Sequence, residues 1–208
     1  MRTKLAAVTL AVASTLALAP VTTPALVHAD DTPAAAVEQI TSRVIAILAD
    51  QGMSVDEKRR RVQDVVYASL DFETLSKLVL ARNWSRFTEA QRAEFMSQFK
   101  EHLSMTYSRN VESYKNEKVT IMGSREEAKG DWTVKTKILR GGPGDILVDY
   151  RLRQRDGSWR IIDVIIEGVS LVSNFRSQFQ DVVASGGPEH LIALLREKNA
   201  KGEPLKTS

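Results

Sequence analysis

The stretch Asp145–Phe179, DILVDYRLRQRDGSWRIIDVIIEGVSLVSNFRSQF, decides the fold. Residues 146–153 alternate between apolar and polar side chains, a period of two that predicts a β-strand with one buried face. The pair Asp156-Gly157 then supplies the positive φ angles that a tight hairpin needs. A second strand over residues 158–166 must therefore return antiparallel to the first.

The second strand of this hairpin is apolar on both faces. Strict alternation places Ile161 and Ile165 on one face and Ile162, Val164 and Ile166 on the other. A strand of this kind is covered on both sides in the folded protein. We therefore expect apolar partners against each face of this part of the sheet.

Two more strands precede the hairpin. Val119 and Ile121 predict a short strand, and residues 132–138 predict a longer one. The link Gly141–Gly144 is rich in turn formers and predicts a hairpin loop. The sequence thus predicts an α+β fold in which helices pack around one four-stranded, twisted antiparallel sheet.

Helical spacing of apolar residues predicts four helices between about residues 33 and 116. The second helix carries an apolar stripe of Val62, Val65, Val66 and Leu70. Residues that favour helix ends mark the boundaries. They are Gly52 after the first helix, the capping boxes Ser54/Glu57 and Thr88/Gln91 before the second and fourth, and Asp71 before the third.

Two helices are predicted after the sheet, from about Leu171 to Ala184 and, beyond Gly186-Gly187-Pro188, as far as about Asn199. Gly168 permits a bend between the last strand and the first of these helices, and Ser170 or Ser173 can cap that helix.

The predicted layout of the chain is a signal peptide at 1–29, one domain at 30–200 and a disordered tail at 201–208. Within the domain, the helical part covers about residues 33–116, the sheet about 118–169 and the C-terminal helices about 170–199.

The chain begins with the layout of a secretory signal peptide. Arg2 and Lys4 precede an apolar run from Leu5 to Ala19, and small residues stand before Asp30. The run is shorter than the ~20 apolar residues of a membrane-spanning helix, and no cysteine follows it that could carry a lipid anchor. We therefore predict export, cleavage after Ala29 and a soluble mature chain.

Charge and cysteine content exclude several classes of protein. The 29 basic residues nearly balance the 26 acidic ones, and without Arg2 and Lys4 the mature chain is near neutral. Such a balance argues against nucleic-acid binding. The chain has no cysteine, which excludes disulfides, thiol catalysis and thiolate metal sites.

Motifs for catalysis are weak. His102 and His190 lie far apart on separate predicted helices, too few for a zinc site. Ser97 and Lys100 match the S-x-x-K pattern of penicillin-binding proteins by chance, since the companion motifs are missing. We predict no metal and no cofactor.

Two carboxylates keep an enzymatic alternative open. Asp149 and Asp163 lie on predicted strands beside apolar neighbours, where one of them could act as a general base. The simpler interpretation, which we favour, is that each lies at a strand edge or pairs with an arginine such as Arg151 or Arg160.

Three segments together resemble the MlaC family, also called toluene-tolerance auxiliary proteins. They are NWSRFTEAQRAEFMSQFKEHL, VDYRLRQRDGSWR and DVIIEGVSLVSNFRSQF, and the resemblance covers about residues 35–200. The family consists of periplasmic phospholipid carriers of Gram-negative bacteria. One departure is Ala81-Arg82, where the family pattern has a glycine-containing pair before the tryptophan.

The resemblance implies a non-enzymatic carrier that binds glycerophospholipid acyl chains and maintains outer-membrane lipid asymmetry. The implied partners are an outer-membrane lipoprotein-porin complex and an inner-membrane ABC transporter with an MCE-domain subunit. The carrier itself is expected to be monomeric and periplasmic. The remaining alternatives are an enzyme using Asp149 or Asp163 and an envelope interaction module without a cavity.

The resemblance also implies that part of the apolar interior is a lipid cavity rather than solid core. Exposure of acyl chains to water costs about 0.8 kcal/mol per methylene, so the tails need an enclosed, dry pocket between sheet and helices. The predicted lining residues are Leu75, Val79, Met96, Phe99, Leu103, Tyr107, Val134, Ile138, Ile146, Val148, Tyr150, Val164, Ile166 and Val169.

Four arginines predict a docking surface for partner proteins. Alternation places Arg151, Arg153 and Arg155 on the outer face of one strand, with Arg160 on its hairpin partner. Such a cluster can steer encounter with acidic partner surfaces. It can equally be a solvated sheet edge whose charges prevent edge-to-edge pairing.

Overall fold

The computed structural model of the chain describes residues 31–107, 114–140 and 144–205. The predicted signal peptide lies outside these residues, as do Gly141 to Pro143 of the predicted hairpin loop. The helices are α1 (Pro33–Ala49), α2 (Val55–Ser69), α3 (Phe72–Leu80), α4 (Glu89–Tyr107) and α5 (Leu171–Lys201), and the strands are β1 (Lys118–Glu126), β2 (Trp132–Leu139), β3 (Ile146–Arg155), β4 (Ser158–Ile166) and β5 (Val169–Ser170).

The predicted α+β fold is confirmed, with one correction to the sheet. The strands pair antiparallel in the order β1-β2-β3-β4-β5. Positive φ angles of 50° at Asp156 and 75° at Gly157 close the hairpin between β3 and β4, as predicted. The sheet has five strands rather than four, because Glu167 and Gly168 turn the chain back and Val169 pairs with Ile166.

A β-bulge in the central hairpin changes which residues share a face. The register shifts between Arg151 and Leu152, so that Leu152 pairs with Ile161 while Tyr150 pairs with Val164. Directly paired residues of antiparallel strands point to the same face. Ile161 therefore lies on the face of Val164, and the strict alternation predicted for this strand was wrong.

Helix ends follow the predicted caps. Ser54 Oγ accepts a hydrogen bond from Glu57 N at 3.2 Å, and Asp71 Oδ1 accepts one from Thr74 N at 2.9 Å. Because such bonds satisfy amide groups that have no partner inside the helix, the sequence could specify these boundaries locally. At α4 the capping box is reciprocal: Gln91 N donates to Thr88 Oγ1 at 3.2 Å, and Thr88 N donates to the Gln91 side chain at 2.9 Å.

The interior is divided into two hydrophobic cores. The helical core joins α3, α4 and α5 around buried aromatic rings such as Phe99 and Phe179. The sheet core packs Val37 of α1 against Val134, Leu152 and Ile161 on the sheet. Leu70, immediately after α2, packs against both cores and joins them.

The C-terminal helix is interrupted and then held at its end. Gly187, with φ 76° and ψ −173°, breaks α5 at the position where the sequence predicted two helices. Beyond Lys201, Leu205 packs against the helical core and its backbone amide donates to His102 Nε2 at 3.2 Å. The chain therefore has a defined position as far as Leu205, past the residue at which disorder was predicted to begin.

Ala81 occupies a backbone conformation that favours glycine. It follows α3 with φ 49° and ψ −123°, in the position where the sequence departs from the pattern of the family it resembles. Replacing Ala81 by glycine relieves this strain and should raise the free energy of unfolding by about 1–3 kcal/mol. The greater freedom of glycine in the unfolded chain should lower it by about 0.4–1 kcal/mol.

We predict that Ala81→Gly raises the free energy of unfolding by about 1 kcal/mol, measured by urea denaturation. Ala46→Gly, at an exposed position in the last turn of α1, is the matched control and should lower it by up to about 1 kcal/mol. A loss of stability in Ala81→Gly equal to that of the control would contradict the strained conformation.

His102 makes stability depend on pH. Its ring is 1% exposed, and its Nδ1 lies 3.0 Å from Asn199 Oδ1. The Asn199 amide nitrogen donates to Gln98 O, so Nδ1 of His102 carries the proton and Nε2 accepts from Leu205. Burial lowers the pKa of His102 below its ordinary 6.5, and the Lys198 ammonium acts in the same direction against the Asn199 bond.

Because the folded state binds the His102 proton less readily than the unfolded state, stability should fall as pH drops below about 6.5. We predict that His102→Gln reduces this loss between pH 7.5 and pH 5, as measured by urea unfolding. The control His190→Gln changes an exposed ring and should retain the wild-type pH dependence. Identical pH profiles for the two variants would refute the role of His102.

Candidate functional site

An apolar pocket lies where α2, α4 and β4 meet. Its volume is about 230 Å³. It lies between the helical core and the sheet core, with Leu70 in its wall. The lining residues are Arg59, Val62, Gln63, Val66, Tyr67, Leu70, Leu75, Leu103, Ser104, Tyr107, Val164, Ile166 and Leu171.

The pocket opens to solvent along one side. Val66, Tyr107 and Ile166 line it and are still 37%, 36% and 38% exposed. Leu75 and Leu103, in contrast, are buried at its inner end. The site is thus a cleft with an apolar floor and an apolar rim, a shape suited to a hydrocarbon chain and not to a polar substrate.

The polar groups of the pocket are few, and two of them contact other parts of the chain. Arg59 Nη1 lies 2.8 Å from Asp56 Oδ1. The Tyr67 hydroxyl donates to the carbonyl oxygen of Lys100 at 2.7 Å, which ties α2 to α4 across one end of the pocket. Burial raises the pKa of Tyr107 above its usual value of 10.0, so this hydroxyl remains neutral at physiological pH.

Five of the fourteen residues predicted to bind lipid line this pocket. They are Leu75, Leu103, Tyr107, Val164 and Ile166. They come from α3, α4 and β4, so both helices and sheet contribute to the pocket.

The other nine residues lie elsewhere. Val79, Met96 and Phe99 belong to the helical core, because α4 and α5 cover that side of α3. Val148 and Tyr150 pair directly with the pocket residues Ile166 and Val164 but do not themselves line the pocket, and Val169 is 61% exposed on β5. The residues away from the pocket are Val79, Met96, Phe99, Val134, Ile138, Ile146, Val148, Tyr150 and Val169.

The largest omission from the predicted site is α2. Val62, Val66 and Leu70 are spaced by four residues and line one wall of the pocket. The sequence predicts them as part of an apolar stripe, but they were not among the predicted lipid-binding residues. A usable signal was present in the sequence, since this apolar stripe with four-residue spacing follows the charged run Asp56 to Arg61 on the same helix.

Asp163 has a structural role at the start of α5. It is 3% exposed and accepts hydrogen bonds from Ser170 Oγ at 2.6 Å and Val172 N at 3.0 Å. Ser170 in turn caps α5 by accepting from Ser173 N at 3.0 Å. Asp163 therefore fixes the junction between β4 and α5, and its partners are these groups rather than an arginine.

The four predicted docking arginines have partners within the chain. Asp131 is 3% exposed, and its carboxylate lies 2.6 Å from Arg153 Nε and 3.3 Å from Arg151 Nη2. Removing both cations would leave a buried charge without compensation, which is strongly destabilising. A docking role stays a prediction. The partners are Asp131 for Arg151 and Arg153, Asp71 and Glu73 for Arg155, and the Ala68 carbonyl for Arg160.

The described residues contain neither a metal-binding cluster nor a membrane-spanning helix. Within residues 31–107, 114–140 and 144–205, no group of three or more His, Asp or Glu side chains is arranged to hold a metal ion. In the same residues, no helix has the length and apolar character needed to cross a membrane.

Comparison with known proteins identifies the family. The model of the MlaC protein family matches residues 38–197, and the chain therefore belongs to the MlaC family. This family comprises non-enzymatic carriers, which confirms the prediction that the chain is not an enzyme.

Two curated relatives are similar over part of their length. The toluene tolerance protein Ttg2D of Pseudomonas putida is 26% identical over 119 residues, which are 57% of this chain and 55% of that protein. The intermembrane phospholipid transport system binding protein MlaC of Haemophilus influenzae is 21% identical over 143 residues, 67% of each chain. This chain thus spans little more than half of Ttg2D.

A solved structure has the same fold. The phospholipid-binding protein from Ralstonia solanacearum, determined in complex with a phospholipid, superposes with a TM-score of 0.73 and is 26% identical. The similarity covers 81% of this chain and 97% of that protein.

We predict that Asp163→Asn lowers the free energy of unfolding by about 1–3 kcal/mol, because the amide NH₂ cannot accept one of the two hydrogen bonds and leaves a buried donor unsatisfied. Asp149→Asn is the control, since Asp149 is only half-buried, and should change it by less than about 0.5 kcal/mol. Equal stability of the two variants in urea denaturation would contradict the structural role of Asp163.

Proposed function

We propose that this protein is a soluble periplasmic carrier that binds the acyl chains of glycerophospholipids in the pocket between α2, α4 and β4. The observation that carries the proposal is the apolar cleft that remains open between two packed cores. Membership of the MlaC family and the phospholipid complex of the Ralstonia relative support it.

The physical need for enclosure supports a carrier over a surface-binding module. Each methylene moved from a bilayer into water costs about 0.8 kcal/mol, so a chain of about 16 carbons needs apolar cover along its length. Leu75, Leu103 and Leu171 provide such cover at the inner end, and Val66 and Ile166 continue it toward solvent.

The pocket must widen when lipid binds. Its 230 Å³ lies below the roughly 300–1,000 Å³ typical of pockets that enclose small ligands. The wall formed by α2 is the part best able to move, since Ser69 is its one buried residue. Binding would thus displace α2 from α4 and β4 and let the tails lie along Val62, Val66 and Leu70.

The proposed route runs between an outer-membrane lipoprotein-porin complex and an inner-membrane ABC transporter with an MCE-domain subunit. This route would maintain the lipid asymmetry of the outer membrane. The partners are those implied by the resemblance to the MlaC family. The name of the Haemophilus relative, a binding protein of an intermembrane phospholipid transport system, and the predicted signal peptide support the route. The carrier would need no cofactor, because it moves its cargo without changing a covalent bond.

We predict that Val66→Trp lowers the phospholipid content of the purified protein. Overpacking typically costs about 1–3 kcal/mol, and 1.4 kcal/mol is a tenfold change in affinity, so retention should weaken about fivefold or more. Lipid is measured by mass spectrometry of organic extracts, with phosphate content per chain as the quantitative readout.

The matched control is Val55→Trp. Val55 lies on the same helix and is 46% exposed, but it does not line the pocket. It should keep the wild-type lipid content. Equal lipid content in Val66→Trp, Val55→Trp and the wild type would place the cargo somewhere other than this pocket.

A further inference from the structure

A second cavity, here called the polar groove, lies between α2 and α4 beside the apolar pocket. Its volume is about 600 Å³. Of the described residues that line it, all but Met105 carry a polar group. The lining residues are Arg60, Gln63, Asp64, Tyr67, Ser97, Lys100, Glu101, Ser104 and Met105.

The polar groove and the apolar pocket adjoin each other. Gln63, Tyr67 and Ser104 line both. Tyr67 forms the boundary: its hydroxyl donates to Lys100 O at 2.7 Å, and Lys100 Nζ lies 4.1 Å from its ring centroid. An amphiphile whose tails occupy the pocket can therefore extend its polar end across this boundary to the ammonium of Lys100.

The groove carries equal numbers of opposite charges. Arg60 and Lys100 supply two cations, and Asp64 and Glu101 supply two carboxylates. Among the described residues none of these four side chains takes part in an ion pair. The nearby Arg59 does not disturb this balance, because Asp56 lies 2.8 Å from its guanidinium.

From this arrangement we infer that the polar groove binds the headgroup of the cargo and favours a zwitterionic headgroup over an anionic one. The inference rests on the proposed carrier function. A phosphodiester can meet Lys100 and Arg60, while a primary ammonium meets Asp64 and Glu101. Phosphatidylethanolamine offers both charges, whereas phosphatidylglycerol offers only the negative one and leaves the two carboxylates facing an uncharged glycerol.

The test compares two lipids that differ only in headgroup. The purified mature protein is equilibrated with vesicles of equimolar phosphatidylethanolamine and phosphatidylglycerol with identical acyl chains, then reisolated, and its lipid is quantified by mass spectrometry. The wild type should enrich phosphatidylethanolamine. Asp64→Asn with Glu101→Gln should shift the bound ratio toward phosphatidylglycerol by about two- to fivefold, the range expected for exposed charge pairs.

The matched control carries the same change of net charge outside both cavities. Glu38→Gln with Glu89→Gln alters exposed residues of α1 and α4 and should keep the wild-type ratio. The opposite variant, Arg60→Gln with Lys100→Gln, should reduce the bound phosphatidylglycerol most strongly.

The outcomes separate this inference from the proposed function. Lipid bound by every variant in one unchanged ratio would overturn the headgroup assignment and leave the carrier intact. A shift of equal size in the Glu38/Glu89 control would also overturn it, since net charge alone would then explain the ratio. An absence of bound lipid in the wild type would overturn the carrier function itself.

Discussion

The packing of Leu70 between two hydrophobic cores is the contact on which the rest of the structure depends. Leu70 follows the last residue of α2 and packs against both the helical core and the sheet core. The backbone ties the same point to the sheet, because Asp71 N donates to Ile161 O at 2.9 Å. One short segment thus joins α2, α3 and β4.

Two cores joined at one point leave a space between them. The helical core is completed by aromatic rings from α4 and α5, including the contacts of Phe99 with Phe175 and Phe179 at 5.0 and 5.4 Å between ring centroids. The sheet core is completed by α1 through Val37. Both cores are packed without filling the space between α2, α4 and β4. An apolar cleft therefore remains there, and the packing that stabilises the fold is retained.

This division suits a carrier that must bind and release an apolar cargo. A pocket inside a single core would have to open against close-packed side chains, which tolerate little change in volume. Here the movable wall is α2, whose residues Val62 and Val66 line the pocket and whose one buried residue is Ser69. The hydrogen bond from Tyr67 to the Lys100 carbonyl joins α2 to α4 at the boundary with the polar groove, and a single bond of this kind is worth only about 0.5–1.5 kcal/mol.

Local sequence signals predicted most of the fold. The capping residues Ser54, Asp71 and Thr88, the Asp156-Gly157 turn and the break at Gly187 each act within a few residues, and all are confirmed. The predictions failed where the outcome depends on distant partners. The bulge that moves Ile161 to the other face is one such case.

The candidate site was predicted less completely for the same physical reason. Phe99 and Val164 are both apolar and periodic in sequence, yet one fills the helical core and the other lines the pocket. Their roles differ because α5 packs against α4 and covers Phe99, a contact that the periodicity of the sequence does not reveal. The arginines are similar, since alternation places Arg151 and Arg153 on a common face but does not reveal that the buried carboxylate of Asp131 lies between them.

Photocrosslinking with a phospholipid that carries a diazirine in its acyl chain tests the central claim most directly. The lipid is loaded into the purified protein, and the crosslinked peptides are identified by mass spectrometry after proteolysis. Acyl chains held between the two cores should mark peptides of α2 and β4, at residues such as Val66 and Val164, and should spare Phe179 in the helical core. Crosslinks spread evenly over the exposed surface, with none in α2, would contradict the account.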